Sequence, residues 1–395
     1  MRNAHAGHFT NDSENGDLMG REKLANIIGV GMTAFGRHEG RSLESLGAEA
    51  VRTALSDAGL DYSAIGMAFC GHVMQGMTAG ERVLTEVGLT GIPIINVENA
   101  CASGSTALYS AIMAVRSGMV DVALAVGFEV MGRGPIQAPS VESRMKERPA
   151  GQPALPWMFA EVFNTHSRKY GTTVEQMAMV SVKNHAFAAL NPKAQYGHPV
   201  NREEVMTARA VVDPLTLLMC CPTSSGAAAA IVTGDSVRTS AKPPVQIVAS
   251  VLESERGAPT NDPFHAVVDV NTRAASKAYA QAGIRPDALD LVELHDCFAI
   301  AEIVHYENLG LCERGEGGKF IEAGMSGPEG RIPVSTSGGL LAKGHPLGAT
   351  GVAQVVEVVE QLRGEAGARQ VRDAKIGLVH CQGFGGAVGV HILAL

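Results

Sequence analysis

The sequence predicts an α/β protein made of two similar halves, with a helical insertion in the first. Three observations predict it. Apolar runs of strand length alternate with amphipathic helical segments, as in a mainly parallel sheet covered on both faces. The order of elements in the first half recurs in the second, as a duplication about a pseudo-twofold axis would give. Between Gly132 and about Met206 the alternation breaks, and proline, charge and long amphipathic helices take over.

Residues 1–24 are polar and lack the apolar core of a signal peptide, so they read as a flexible tail. The first half, 25–242, opens with IIGVGMTAF as strand and turn. SLESLGAEAVRTALSDAGL follows with an apolar helical face, a serine start and a glycine stop. AIGMAFCGHV is a buried strand, and Arg82 to Val87 a short helix. PIINVENA is a strand leading to Cys101, STALYSAIMAVRSG a helix and DVALAVGFEVM a further buried strand. The insertion, about 132–206, carries WMFAEVFNTHSRKYG and TVEQMAMVSVKNHAFAAL as helices, and the sheet resumes in SSGAAAAIVTG. Pro243-Pro244 marks the start of the second half, 243–395. There PVQIVASVLES matches the opening strand, and TRAASKAYAQAGIRPDALDLVELHDCF matches the first helix and strand. RIPVSTSGG leads into the His345 loop as PIINVENA leads into Cys101, and KIGLVHCQGFGG parallels DVALAVGFEVMG.

Composition removes several function classes. The chain has 395 residues, 46% hydrophobic and 18% charged, which is the balance of a globular protein. Its net charge of -8, with no basic run, argues against nucleic acid and anionic membrane surfaces as partners. No apolar segment is long enough to span a bilayer. The seven cysteines are scattered and lack zinc-type CxxC pairs, so no disulfide framework or metal site is expected, and a reducing cytoplasm fits. Gly29 and Gly31 lack the third glycine and the immediate helix of a dinucleotide fingerprint. Gly318-Lys319 lacks P-loop spacing.

The chemistry concentrates in four loops. Cys101 sits among small residues (Asn99-Ala100-Cys101-Ala102-Ser103-Gly104-Ser105) between a strand and a helix. A thiol there gains from the helix dipole and free amides, which lower its pKa and can serve an oxyanion. His345 stands between Gly344 and Pro346 on a stiff loop ahead of a helix, because proline restricts the residue before it. Cys381 ends a buried strand at a glycine-rich turn, where the Gly383 amide is free to meet a substrate oxygen. His295-Asp296-Cys297-Phe298 follows the strand LDLVEL, at the strand end where α/β folds place ligand groups. Asp296 is also expected to cap the next helix. His166 and His185 read as packing or surface residues, and His305, in the helix after Cys297, as structural.

Together, Cys101-Ala102-Ser103, His295-Asp296-Cys297-Phe298, Gly344-His345-Pro346 and Cys381-Gln382-Gly383 resemble the four active-site loops of the thiolase family. The likeness runs from Asn26 to Leu395. The HDCF form and CPTSSGAAAA most resemble the sterol-carrier-protein branch, which includes acetyl-CoA acetyltransferases. The resemblance implies a five-layered αβαβα fold of two duplicated halves with an inserted loop domain. It implies an acyl-CoA C-acyltransferase that makes or cleaves a 3-ketoacyl-CoA by Claisen chemistry through an acyl-cysteine. In these terms Cys101 is the nucleophile, His345 takes its proton and Cys381 moves the α-carbon proton. The amides of Cys101 and Gly383 form one oxyanion hole, and His345 with a water held by His295 the other. Cys297 is the alternative acid–base thiol, since in this branch the HDCF cysteine takes the role when the last loop lacks one. Substrates would be acyl-CoA and CoA, with no cofactor and no metal, and CoA-contacting residues stay unassigned. A homodimer or homotetramer is implied, and relatives of this branch often need a zinc-ribbon/OB-fold partner protein. Other readings are a thiolase-like retro-aldol lyase and a weakly active acyl-CoA or lipid carrier.

Overall fold

A computed structural model describes residues 23–134, 136, 148–237, 242–257 and 262–395. Most of the expected tail, and residues 137–147 of the expected insertion, lie outside the described residues. Lys23 and Leu24, at the end of that tail, are tied to the sheet by an ion pair to Asp235 and a hydrogen bond to the Ile247 carbonyl.

The first half runs β1 (Ala25–Met32), α1 (Leu43–Ala58), β2 (Met67–Gly71), α2 (Ala79–Thr85), β3 (Ile94–Val97), α3 (Ser103–Arg116) and β4 (Val122–Glu129). Helices α4 (Ala154–Tyr170), α5 (Val174–Ala188) and α6 (Arg202–Thr207) and the small pair β5 (Ala210–Val212) and β6 (Leu215–Thr216) follow. β7 (Gly226–Thr233) then returns to the sheet. The second half runs β8 (Val245–Glu253), α7 (Pro263–Ala282), β9 (Leu291–Glu293), α8 (Ala299–Asn308), α9 (Gly317–Glu322), α10 (Thr350–Leu362), β10 (Ile376–Gly383) and β11 (Ala387–Ala394).

The strands form one nine-stranded sheet in the order β3-β2-β4-β7-β1-β8-β11-β10-β9. Each side of the β1–β8 junction reads outward in the same sense. β8, β11, β10 and β9 take the places of β1, β7, β4 and β2, and a parallel bridge from Val292 to Val334 stands where β3 stands in the first half. The matching helices α1 and α7 both stop at a glycine in the left-handed region, Gly59 (φ 65°) and Gly283 (φ 61°).

The expectation of a mainly parallel sheet is corrected here. β2–β3, β2–β4 and β9–β10 are parallel, but β1–β7, β4–β7, β1–β8, β8–β11 and β10–β11 are antiparallel. The physical reason is burial on both faces. In β7, Ala227, Ala229 and Ile231 pack with α1, while Ala228, Ala230 and Val232 pack with α3 and α10. A strand covered on both sides reads as one apolar run whatever its direction, so the alternation that betrays an antiparallel strand is absent.

Three hydrophobic clusters make the layers. One joins α1 and α2 to the outer face of the first half-sheet, and another joins α7 and α8, with the insertion, to the outer face of the second. Between them α3 and α10 pack on the inner faces of both. This is a helix–sheet–helix–sheet–helix stack. The two central helices start against each other at glycines. A methyl group built on Gly104 would lie 2.6 Å from the Gly348 carbonyl oxygen, and one on Gly351 would lie 2.4 Å from the Ser105 nitrogen. Backbone therefore touches backbone where the two halves meet. None of the described helices is long and apolar enough to cross a membrane.

Candidate active site

β3 delivers the chain to Ala100, whose φ of 48° puts a non-glycine residue in the left-handed region. Such a conformation costs about 1–2 kcal/mol, so its surroundings must hold it. They do so through two side chains, for the Ala100 N–H donates to Glu98 Oε1 at 2.6 Å. Ser103 Oγ accepts from the Asn99 N–H (2.9 Å) and donates to the Ala100 carbonyl (2.6 Å). The Ala102 and Ser103 amides close back on the Asn99 and Ala100 carbonyls, both at 3.0 Å. Cys101 is thereby presented at the start of α3. Its thiol differs from the expected lowered one. Burial pushes it up to about 12, opposed by the Phe384 backbone N–H and reinforced by the Glu129 and Glu98 carboxylates. Desolvation outweighs the helix terminus, so the resting group is a neutral thiol.

His345 follows a π-helical turn, Gly339–Lys343, and Gly344 at φ 112°. Its backbone N–H donates to Ser224 Oγ (3.0 Å). Its ring Nδ1 lies 2.7 Å from Thr350 Oγ1, whose own proton goes to the Pro346 carbonyl at 2.9 Å. The threonine oxygen is therefore the acceptor. Nδ1 carries the ring proton and Nε2 is left with a lone pair. Nε2 is buried and makes no hydrogen bond to a described residue. Burial lowers the imidazole to about 3, which keeps it a neutral base.

His295 lies just past β9, and its ring meets that of His345 edge-on with centroids 5.2 Å apart. One donor atom each of Cys101, His295 and His345 lies within 4.8 Å of the others. Cys381, in β10, donates its thiol proton to the Cys101 carbonyl at 3.1 Å and lies 3.7 Å from His295 Nδ1. Four of the residues singled out in the sequence are thus gathered at one centre. The His295 amide donates to His380 Nδ1 (3.3 Å), and His380 Nε2 then donates to Asn271 Oδ1 (2.6 Å). Burial, aided by the neighbouring histidines, holds His295 well below the usual imidazole range.

Two carboxylates flank His295 in sequence and hold the His345 loop from below. Glu293 accepts from the Ser337 N–H (2.9 Å), Ser337 Oγ (2.6 Å) and Thr336 Oγ1 (3.3 Å). Asp296 accepts from the Leu340 and Leu341 amides (2.8 and 3.3 Å) and from Asn184 Nδ2 (2.7 Å). This corrects the expected helix cap, because the N-cap of α8 is Phe298, which makes no side-chain cap bond. Asp296 turns its oxygens to the loop amides instead. A third carboxylate, Glu129 at the end of β4, gathers the Val73, Met74 and Gly348 amides at 2.8–3.0 Å. Sequence reasoning missed Ser224, Thr350, Glu129 and Glu293. A carboxylate inside an apolar strand, as in VALAVGFEV and LDLVEL, was the available signal, since burial demands ready-made donors. His166 and His185, read as packing or surface residues, and His305, read as structural, are all buried.

Gly383 closes the centre from the β10 side. A methyl group there would sit 2.1 Å from the Asn99 carbonyl oxygen and 3.1 Å from the Ala102 side chain. Gly383→Ala is expected to push the Cys101 loop aside and lower kcat/KM about a hundredfold, with little change in overall folding. Steady-state kinetics beside a circular dichroism spectrum check this.

A cavity of about 780 Å³ opens on the centre. Cys101, His295, Cys297, His345 and Gln382 line its floor, and Arg37, Arg148 and Arg209 also contribute to it. Its wall is apolar, with Met158, Leu217, Phe384 and the stacked pair Phe159 and Phe298, whose centroids are 4.5 Å apart. Ser225 does not serve this cavity. Its Oγ accepts from the Met131 N–H and its amide donates to the Gly36 carbonyl.

The family model described as thiolase, N-terminal domain, matches residues 25–236, and that described as thiolase C-terminal domain-like matches 261–394. Sterol carrier protein 2 of Bos taurus is 42% identical over 389 residues, covering 92% of this chain and 71% of that protein. An acetyl-CoA acetyltransferase of Methanothermobacter thermautotrophicus is 42% identical over 377 residues, covering 93% and 98%. Among solved structures, the Ltp2-ChsH2(DUF35) aldolase superposes with a TM-score of 0.82 at 27% identity, covering 94% of this chain and 97% of that one.

Proposed function

We propose that this chain, which belongs to the thiolase family, is an acyl-CoA C-acyltransferase that makes or cleaves a 3-ketoacyl-CoA through an acyl-cysteine. The observation that carries this reading is the convergence of Cys101, His295 and His345 within 4.8 Å, with the Cys381 thiol 3.7 Å from His295. In the first step Cys101 sulfur attacks a thioester carbonyl while its proton passes to the unprotonated Nε2 of His345. A thiol raised to about 12 does not ionise alone near neutrality, so attack and proton transfer go together. Collapse of the adduct expels the leaving group, which takes the proton back from His345. In the condensation direction the Cys381 thiol first passes its own proton to His295 Nδ1, 3.7 Å away. The thiolate then removes a proton from the α-carbon of a second acyl-CoA, the carbanion attacks the acyl-cysteine carbonyl, and the C–S bond to Cys101 breaks, its sulfur taking the proton from Cys381. The amides of Cys101 and Gly383 serve the oxyanion at the acyl-cysteine, and the His345–His295 pair, now holding the Cys381 proton, serves the enolate oxygen together with a water held by His295. Arg37 and Arg209, exposed at the cavity, suit the phosphates of CoA. The chain is assigned to the cytoplasm and to a homodimer or homotetramer, with the exposed edge of β3 (Ile95, 42%) available for pairing.

Cys297 competes for the acid–base role because it lines the cavity, whereas Cys381 is fully buried. The direct contacts of Cys381 to the Cys101 carbonyl and His295 favour Cys381. A second reading draws on the similarity to the Ltp2-ChsH2(DUF35) aldolase. It is a lyase that cleaves a CoA-linked side chain by retro-aldol reaction beside a partner protein. One experiment separates them. Purified protein is mixed with acetoacetyl-CoA and CoA, the ketoacyl enolate absorbance is followed, and the Cys101 peptide is weighed. Turnover with an acylated Cys101 supports the acyltransferase. Neither signal removes it and leaves the lyase. In the same assay Cys381→Ala is expected to lose at least about a hundredfold in turnover yet still acylate Cys101 from acetyl-CoA, where no carbon–carbon bond breaks, whereas Cys297→Ala keeps turnover. The reverse pattern moves the role to Cys297.

A further inference from the structure

Behind the reacting groups lies a charged cluster that the acyl-transfer steps leave unused. Lys343 stands two residues before His345, and its side chain is 1% exposed. Its Nζ is 3.7 Å from Glu293 Oε2 and makes no hydrogen bond to a described residue. The Glu293 oxygens are taken up by Ser337 and Thr336, as described above. The next carboxylate, Glu357, is gripped by Arg369 through two nitrogens at 3.1 and 2.9 Å. Lys343 is therefore held in the interior by charge at a distance, with no hydrogen bond to absorb its field. In a low-dielectric interior such a charge acts strongly on whatever ionises near it.

The cluster sits beneath β9 and β10, where Glu293 pairs in register with Val379, two residues before Cys381. The groups acting on the Cys381 thiol are few. Burial, then Cys101, pushes it well above the usual thiol range, Lys343 pulls the other way, and the neutral His295 ring stands at 3.7 Å. His380, its neighbour along the strand, is bound to Asn271.

We propose that Lys343 is a positioning residue for the acid–base step, its buried charge stabilising the Cys381 thiolate while Glu293 fixes where that charge sits. This rests on Cys381 being the group that moves the α-proton. In that step an S–H bond forms on Cys381, the α C–H bond of the acyl-CoA breaks, and its electron pair moves onto the thioester oxygen. Return of the proton reverses it. Lys343 exchanges no proton and acts only through its charge.

The test uses the full chain and a readout that needs no turnover. Wild type, Lys343→Met and Glu293→Gln are labelled with methyl methanethiolsulfonate from about pH 6 to about pH 10, on the acid side of the Cys381 titration, where the labelling rate follows the thiolate fraction. Labelling of Cys381 is then mapped by peptide mass spectrometry. Lys343→Met is expected to lower the labelling rate of Cys381 roughly tenfold at each pH, as an upward shift of about one unit would. Glu293→Gln, which removes the counter-charge, is expected to raise it. A purely structural role would move both variants the same way, and that result overturns the proposal. So does a Lys343→Met profile within about twofold of wild type, or a wild-type Cys381 that never reacts. Turnover of Cys381→Ala is measured beside these. If it is retained, the acid–base assignment falls, while the labelling still reports whether Lys343 acts on the thiol.

Discussion

Alanine in place of Cys101 is expected to lower thiolysis of acetoacetyl-CoA by at least about ten-thousandfold, the scale seen when a nucleophile acting as a unit with its base is lost. His345→Ala is expected to come close to the same loss. The thiol is pushed up to about 12 by burial, so without an adjacent acceptor its proton has no exit at neutral pH. For the same reason the double variant should be little worse than either single one. Rapid-quench measurement of acyl-Cys101 checks this directly, with thermal unfolding as a control for folding. A Cys101→Ala enzyme retaining a tenth of the activity would remove the acyl-cysteine from the mechanism.

Acid is expected to unfold the protein well before ordinary carboxylates titrate. Burial holds His345 and His380 at about 3, His391 at about 4, and His295 and His305 well below the usual 6.5. In each, the unfolded chain binds a proton below pH 6.5 that the folded chain refuses until much lower, so stability falls as pH falls through that window. Three carboxyls act oppositely. Asp296, raised to about 7, and Glu129 and Glu293, also raised by burial, give up protons on unfolding. Five protons taken up against at most three released leaves a net uptake of two or more. That corresponds to roughly 3 kcal/mol lost per pH unit below about 6, a large part of the stability of a protein domain. Urea midpoints measured from about pH 8 to about pH 5 check the sign. A midpoint that holds steady or rises on acidification contradicts it.

The four candidate residues were legible because each lies in a stretch of small or constrained residues, at or just past the end of a strand for Cys101, His295 and Cys381 and between Gly344 and Pro346 for His345. Such loops are visible in one sequence. The duplication was legible for a related reason, since matched helices ended at matched glycines, Gly59 and Gly283. Strand direction was not, because β7 is covered on both faces and carries no alternation to read. The fate of Asp296 was hidden too. A cap and a distant loop amide are chemically the same request, and only the fold brings Leu340 and Leu341 nearer to it than the first turn of α8. The direction of the Cys101 thiol was missed because the helix terminus is local and visible, whereas the burial that outweighs it belongs to the whole assembly of layers.

The glycine contact between α3 and α10 sets a tolerance. The proposed nucleophile and base, Cys101 and His345, come from opposite halves of the chain, and their spacing is gauged where Gly104 and Gly351 let main chain rest on main chain. A single methyl at either position would act as a shim, spreading the halves while leaving every reacting group chemically whole. Inactive variants should therefore include a class in which Cys101 still accepts a small electrophile and still binds its substrate, yet has lost its proton acceptor by a fraction of an ångström. Such lesions would look, in a random screen, like damage to a hinge in a protein whose chemistry depends on having none.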